Sequence, residues 1–199
     1  MKKKFGMMAL AMILTAGMLA GCGSEQTAES SDGQDTVTGA IIVSAAASLT
    51  DVLNELAQTF QEEYPGTEVS FTFGGSGALQ TQIEEGAPVD LFFSAAESNM
   101  DALEEQGLID AATRKDVLQN EIVLIAPQGE TAVTSFETIL DSEPQIALGE
   151  AESVPAGKYA QEIFTNLGIW DEVKSHAVFA SNVREVLAWV EAGEADCGV

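Results

Sequence analysis

Hydrophobic and polar residues follow two patterns that take turns along this chain. Short apolar runs, typical of buried strands, are followed by longer stretches in which apolar residues recur every three or four positions, as on one face of a helix. The predicted strands are residues 41–46, 68–73, 89–94, 121–126, 145–148, 177–180 and 195–199, and the predicted helices are residues 49–64, 78–85, 98–106, 135–140, 155–167 and 183–192. Strands that alternate with helices in this way indicate an α/β fold with mostly parallel sheets flanked by helices.

The first two turns from strand to helix are rich in small and hydroxyl residues. Ser48 follows the first strand and is predicted to be the N-cap of the next helix, with Asp51 three positions on as in a capping box. Ser76 takes the same place in the glycine-rich turn of residues 73–78, FGGSGA. The N–H groups at a helix start have no partner within the helix, and the helix dipole favours negative charge there, so each turn could hold a small anion.

Two further turns repeat this arrangement in the second half of the chain. Before the fifth predicted helix, Ser153 is a predicted cap and Pro155 suits the first helical position, while the small Ala156 leaves its N–H accessible. Before the sixth predicted helix, Asn182 and Glu185 form a predicted capping pair. Four such turns, each after a strand, predict a ligand-binding cleft.

The first 39 residues are predicted to lie outside the fold. Three lysines precede an apolar run at residues 7–20, which is short for a membrane span and typical of a secretory signal peptide. The sequence LAGC at residues 19–22 resembles the lipobox of bacterial lipoproteins, which implies cleavage after residue 21 and acylation of Cys22; a plain signal peptide with an incidental cysteine is the alternative. Residues 22–39 are predicted to be the lipid anchor and a flexible tether. We therefore expect a lipid-anchored protein at the outer face of the cytoplasmic membrane.

The formal net charge of −24 excludes nucleic acid as a partner, because the basic patch that such a protein needs is missing. Removal of the signal peptide, with its three lysines, brings the charge to −27. An anion would not be attracted by this overall field, so an anion site must be built from local dipoles. Among the few remaining cations, Arg184 is predicted to face acidic neighbours rather than a ligand.

Two kinds of chemistry have weaker support in the sequence. The turn around Ser76 nearly matches the nucleophile elbow G-x-S-x-G, with Ala78 in the last glycine position, but its base would have to be His176, the only histidine. A serine hydrolase therefore remains an alternative. No metal motif is present, and Cys197 is predicted to be a small buried core residue.

Five segments together resemble the molybdate-binding protein of bacterial ABC importers over nearly all of residues 41–199. They are AAASLTDVL, FTFGGSGALQTQI, EGAPVDLFFSA, VPAGKYAQEIFTNLGIWD and SNVREVLAWVEAGEAD. The resemblance implies a two-lobed periplasmic-binding-protein fold of type II, with lobe 1 at 40–120, lobe 2 at 121–199 and a cleft between them. We expect the return of the chain to the first lobe to lie beyond residue 199.

The same resemblance implies which residues bind the anion. Hydroxyl and backbone N–H groups would come from Ser48 and Ser76, and backbone N–H groups from Ala156 and Val183. The family's remaining ligand, a tyrosine, would follow residue 199. The turn at Ser76 is richer in glycine than the serine-rich form of the family, which could alter selectivity or mobility.

The resemblance also implies a function, which is capture of molybdate, and of tungstate, for an ABC permease. We expect a monomer without a cofactor, without catalytic residues and without a metal site beyond the oxyanion ligands. The alternatives are the same fold binding another oxyanion such as sulfate or phosphate, a metal or an organic acid; a secreted hydrolase using Ser76; and an adhesive or structural lipoprotein.

Overall fold

The computed structural model of this protein describes residues 37–129 and 132–199. The predicted signal peptide, the predicted lipidation site at Cys22 and the predicted tether up to residue 36 lie outside the described residues. In the described ranges, no helix has the length and apolar character needed to cross a membrane.

Two parallel sheets, each of three strands, organise the described residues. The N-terminal sheet has the order β2-β1-β3, and the C-terminal sheet has the order β5-β4-β6. The strands are β1 (Thr38–Ala46), β2 (Gly66–Gly74), β3 (Leu91–Phe93), β4 (Ile146–Gly149), β5 (Ala177–Ala180) and β6 (Cys197–Gly198). Because β1 pairs with β2 and β4 with β5 in parallel, the turns that follow these strands lie side by side at one edge of each sheet.

Helices connect the strands and cover the sheets. They are α1 (Thr50–Glu63), α2 (Ser76–Glu84), α3 (Glu97–Glu105), α4 (Pro155–Asn166), α5 (Trp170–His176) and α6 (Val183–Glu191), with 3-10 turns at Ala47–Leu49 and Ala111–Thr113. Gly86, Gly168 and Gly193 follow α2, α4 and α6 with positive φ angles, the conformation that glycine adopts readily at the end of a helix.

The C-terminal sheet is buried on both faces. Ile146 and Leu148 pack on one side with Phe164 of α4 and Val173 of α5. The other side is packed by α6, with Val186 and Val190 among the buried residues that also include Ala147 and Ala180. Burial on both faces explains why β4 reads as a continuous apolar run.

Cys197 lies in β6 and is fully buried, which confirms its prediction as a core residue. Its thiol is free, and burial is the main reason why its pKa is raised to about 11, with the nearby charge of Asp196 adding to the shift.

The N-terminal sheet is covered less completely by α1. Leu53 and Ala57 of α1 are buried, and Leu53 packs with Val43 and Ala45 of β1. Val52 and Leu56, two further apolar residues of α1, are 47% and 56% exposed. The apolar face of α1 is therefore wider than the surface that the sheet buries.

Two predicted elements are absent from the described residues, and one helix was not predicted. The predicted strand at 121–126 is reduced to an isolated antiparallel bridge between Ile125 and Gly198. The predicted helix at 135–140 consists of turns, in which the hydroxyls of Ser135 and Thr138 bond to each other, a local pairing that competes with helix formation. The helix that was not predicted is α5, which occupies seven residues and ends at His176, directly before the predicted strand that became β5.

Candidate functional site

The two sheets meet where their strands end. The backbone N–H of Gly77, in the first turn of α2, donates a 2.9 Å hydrogen bond to the carbonyl oxygen of Ser153, just before α4. The neighbouring Gly75 lies so close to both C-terminal turns that an added Cβ would be 2.7 Å from the oxygen of Ser153 and 2.9 Å from that of Ser181. The turn after β2 is thus packed against the turns that lead into α4 and α6.

An ion pair brings the turn after β1 to the same place. Nη1 of Arg184 in α6 lies 2.8 Å from Oδ2 of Asp51 in α1, and Nη2 lies 3.2 Å from Oδ1. This contact confirms the prediction that Arg184 faces an acidic residue. All four predicted turns therefore converge between the two sheets.

Ser48 does not have the local role predicted for it. A 3-10 turn at Ala47–Leu49 precedes α1, and the backbone N–H and the hydroxyl of Thr50 both donate to the carbonyl oxygen of Ala47. This turn moves the start of α1 to Thr50 with Leu49 as N-cap, so the predicted capping box of Ser48 and Asp51 is wrong. Ser48 stays at the converging edge, and its side chain is exposed.

Ser76 is buried in the turn that packs against the C-terminal turns, between Gly75 and Gly77. The N-cap of α2 is Gly75, so Ser76 is the first helical residue rather than the predicted cap. Its side chain is fully buried, and its Oγ accepts a 3.0 Å hydrogen bond from the backbone N–H of Ala95, which follows β3. That bond uses a lone pair of the oxygen and leaves the hydroxyl proton to be donated.

The start of α4 leaves backbone donors without an acceptor. Its N-cap is Val154, which has no side chain able to cap, so the predicted cap at Ser153 is wrong. Pro155 takes the first helical position as predicted. Within the described chain, the N–H of Ala156 has no hydrogen-bond acceptor, whereas the N–H of Lys158 already bonds to the carbonyl of Val154.

At the start of α6, the N-cap side chain accepts from two N–H groups and leaves that of Val183 without a partner in the described chain. Asn182 is the N-cap as predicted, and its Oδ1 accepts from the N–H groups of Arg184 and Glu185 at 3.0 and 3.1 Å. The carboxylate of Glu185 accepts from the N–H and hydroxyl of Ser181, one residue before the cap. Among the described groups no acceptor is left for the N–H of Val183.

Uncharged donors therefore dominate the converging edge. The one guanidinium located there, that of Arg184, is paired with Asp51. A surface groove lies instead along the outer side of α4 and includes none of the four turns; it is lined by Lys158, Gln161, Glu162, Thr165 and Asn166. In the described ranges, no group of three or more His, Cys, Asp or Glu side chains is placed to hold a metal.

The contacts across the convergence were not found from the sequence. Neither the bond between Gly77 and Ser153 nor the pair between Asp51 and Arg184 follows from a local pattern, since both join residues far apart in the chain. The available signals were indirect: the unusual glycine content around Ser76, and an arginine at a helix start, where the helix dipole disfavours a cation.

Comparison with known proteins gives consistent results. Residues 41–199 match the model of the bacterial extracellular solute-binding protein family. YvgL of Bacillus subtilis, whose name describes a candidate ABC transporter substrate-binding lipoprotein, is 44% identical over 94% of this chain and 70% of its own length. The molybdate-binding protein ModA of Haemophilus influenzae is 37% identical over 96% of this chain and 73% of its own length.

A solved structure supports the fold. The periplasmic molybdate-binding protein of Azotobacter vinelandii is 27% identical, with a TM-score of 0.70 over 79% of this chain and 69% of its own. The predicted two-lobed α/β fold of the periplasmic-binding-protein type is thereby confirmed, while the lobe boundaries at residues 120 and 121 remain predictions. The chain belongs to the family of bacterial extracellular solute-binding proteins.

Proposed function

We propose that this protein captures molybdate, and tungstate as well, outside the cytoplasmic membrane and delivers it to an ABC importer. The observation that carries the proposal is that two helix starts whose N–H groups have no protein acceptor in the described chain, those of Ala156 and Val183, belong to turns that pack against the turn of the buried Ser76. Ser48 at the same edge completes the proposed donor set. The names of the relatives agree with this ligand class.

The chemistry of the ligand matches a site built only from donors. Molybdate and tungstate are tetrahedral dianions of similar size that carry no proton near neutral pH, so each oxygen can accept hydrogen bonds and none needs an acceptor. A hydrogen bond to a charged oxygen contributes about 1.5–3 kcal/mol, and a helix dipole adds about 0.3–1 kcal/mol. Four or more such donors can supply the ~8 kcal/mol that corresponds to micromolar binding.

Selectivity for molybdate over phosphate and sulfate then depends on whether the anion carries a proton and on its size. Protonated phosphate carries a donor of its own and would need an acceptor, which the proposed donor set does not offer. Sulfate has no proton but is smaller, so it would not reach all donors of a cavity shaped for molybdate at once. The proposal therefore includes discrimination against both anions.

The proposal extends to the protein's surroundings. A solute-binding protein of an ABC importer works outside the cytoplasmic membrane and passes its ligand to a permease subunit. We propose that this chain does so as a monomer anchored by a lipid on Cys22. Mass spectrometry of the protein from membranes would detect the acyl modification, and an unmodified Cys22 would contradict the anchor.

A thermal-shift series tests the proposed ligand. The protein is heated with molybdate, tungstate, sulfate or phosphate at equal concentrations, and we expect a rise in Tm with the first two only, because a ligand that binds the folded state alone stabilises it. No rise with any of the four contradicts the proposal.

The serine hydrolase alternative has a separate test. Ser76 bonds to a backbone N–H, and within the described residues no hydrogen bond joins it to His176. A fluorophosphonate probe should therefore leave Ser76 unlabelled, whereas labelling of Ser76 would favour the hydrolase.

A further inference from the structure

The ion pair between Asp51 and Arg184 is the one charged contact, among the described residues, that joins the two sheets. We propose that these are positioning residues, which hold the donor turns of the two lobes together and so set the closed geometry of the site. Only the identity of the bound anion in this inference rests on the proposed function. Closure of the two lobes can be measured without any ligand.

The positions of the two residues support this role. Asp51 is the second residue of α1 and lies three residues after Ser48. Arg184 is the second residue of α6 and directly follows Val183. Since each partner belongs to the first turn of a helix, the pair connects two turns of the proposed donor set with almost no flexible chain between the contact and the donors.

The geometry of the pair is specific. Nη1 of Arg184 donates to Oδ2 of Asp51 at 2.8 Å and Nη2 donates to Oδ1 at 3.2 Å, which is the two-point arrangement that a planar guanidinium forms with a carboxylate. Such a pair fixes orientation as well as distance, because a rotation of one helix start against the other breaks at least one of the two bonds.

The exposure of the pair fits a contact that must open. The side chains of Arg184 and Asp51 are 45% and 76% exposed, so water and salt screen their attraction. An exposed pair changes an equilibrium only a few-fold. A contribution of this size can bias the lobes toward closure and still allow release of the ligand.

The amide of Gly77 reports closure independently of the pair. It lies in the first turn of α2, where an N–H has no partner within its own helix, and its bond to Ser153 crosses between the sheets. Its hydrogen exchange is therefore slowed to the extent that the closed arrangement is populated. This signal comes from residues that the substitutions do not touch.

The experiment measures the exchange of the Gly77 amide by NMR in the ligand-free protein for wild type, Asp51→Asn, Arg184→Gln and the double variant. Each single substitution should lower the protection of Gly77 about two- to fivefold, and the double variant should lower it no further than a single one, because the same pair is already broken. High ionic strength should produce the same loss in wild type and little change in the variants.

Arg114→Gln is the matched control. Arg114 pairs with Asp101 and Glu104 beside it in the N-terminal part, so its loss changes the net charge by the same amount as Arg184→Gln without touching a contact between the sheets. The protection of Gly77 should not change in this variant. An equal loss here would mean that overall charge, and not the pair, sets closure.

The inference is overturned if Asp51→Asn and Arg184→Gln leave the protection unchanged, if their effects multiply in the double variant, or if the Gly77 amide of wild type exchanges without protection. A parallel set with molybdate tests the proposed function separately, because added molybdate should raise the protection in wild type. If molybdate does not change the protection of Gly77 while the substitutions lower it, the proposed ligand is wrong and the role of the ion pair is supported.

Discussion

The backbone N–H of Gly77 donates a 2.9 Å hydrogen bond to the carbonyl oxygen of Ser153, and the two backbones touch at this point. A Cβ on Gly77 would lie 2.9 Å from the Cα of Ser153 and 3.0 Å from its oxygen. The glycine is therefore required by close approach of the two sheets and not by an unusual φ angle. This gives a physical reason for the glycine-rich turn that distinguishes the sequence around Ser76.

Gly77→Ala should prevent full closure. Because the added methyl group meets backbone atoms, which cannot rotate away, the closed state should be disfavoured and the affinity for molybdate should fall by roughly tenfold. Calorimetric titration measures the change. Gly74→Ala is the control, since a Cβ there would make ordinary contacts of 3.5 and 3.6 Å with Leu79. Equal affinities of the Gly77→Ala variant and wild type would show that the closed contact is not needed for binding.

Val183→Pro should remove one donor and little else. Proline fits the first position of a helix, and the preceding Asn182 is extended, with φ −163° and ψ 167°, as a residue before proline should be. Loss of an N–H that bonds to a charged oxygen should weaken molybdate binding about 10- to 100-fold. Val183→Ala keeps the N–H and should bind nearly as well as wild type, so equal weakening in both variants would assign the effect to the side chain.

Ser76→Ala should affect both binding and stability. The substitution removes the proposed hydroxyl donor and leaves the N–H of Ala95 without its acceptor. We expect a loss of at least tenfold in molybdate affinity and a decrease of about 1–3 kcal/mol in the free energy of unfolding of the ligand-free protein. Ser70→Ala, at an exposed position in the middle of β2, is the control and should change neither quantity. A Ser76→Ala variant with unchanged affinity would remove Ser76 from the proposed site.

The buried thiol of Cys197 should make stability depend on pH in the alkaline range. Its pKa is raised from 9.0 to about 11 in the folded protein, so the unfolded chain loses this proton at lower pH than the folded one. The contribution of the Cys197 thiol to the free energy of unfolding is thus fully present below pH about 9 and is lost as the pH rises toward about 11. Urea unfolding across this range should show a steeper loss of stability for wild type than for Cys197→Ala, and parallel curves would contradict the shift.

Local patterns in the sequence predicted much of the fold. The strands that became β1, β2, β4 and β5, and the helices that follow them, were placed within a few residues because each is a strong apolar run or stripe. Asn182 was recognised as a cap because its side chain acts on the N–H groups two and three residues ahead. The predicted site residues all fall on the converging turns.

Other features depended on contacts that a local pattern does not contain. Ser48 was displaced from the N-cap because the hydroxyl of Thr50 bonds to Ala47 and favours a 3-10 turn. Asp51 and Arg184 are separated by 133 positions, so nothing near either residue identifies its partner. The buried Oγ of Ser76 likewise bonds to the N–H of Ala95, 19 positions away, a contact that no local pattern contains.

Calorimetric titration of the protein with molybdate, followed by competition with sulfate and phosphate, tests the central claim most directly. An anion site made of helix-start N–H groups and serine hydroxyls predicts binding at about micromolar Kd or tighter, with little displacement by an excess of either competitor. Binding of sulfate or phosphate as tight as that of molybdate, or no heat of binding with molybdate, would contradict the account.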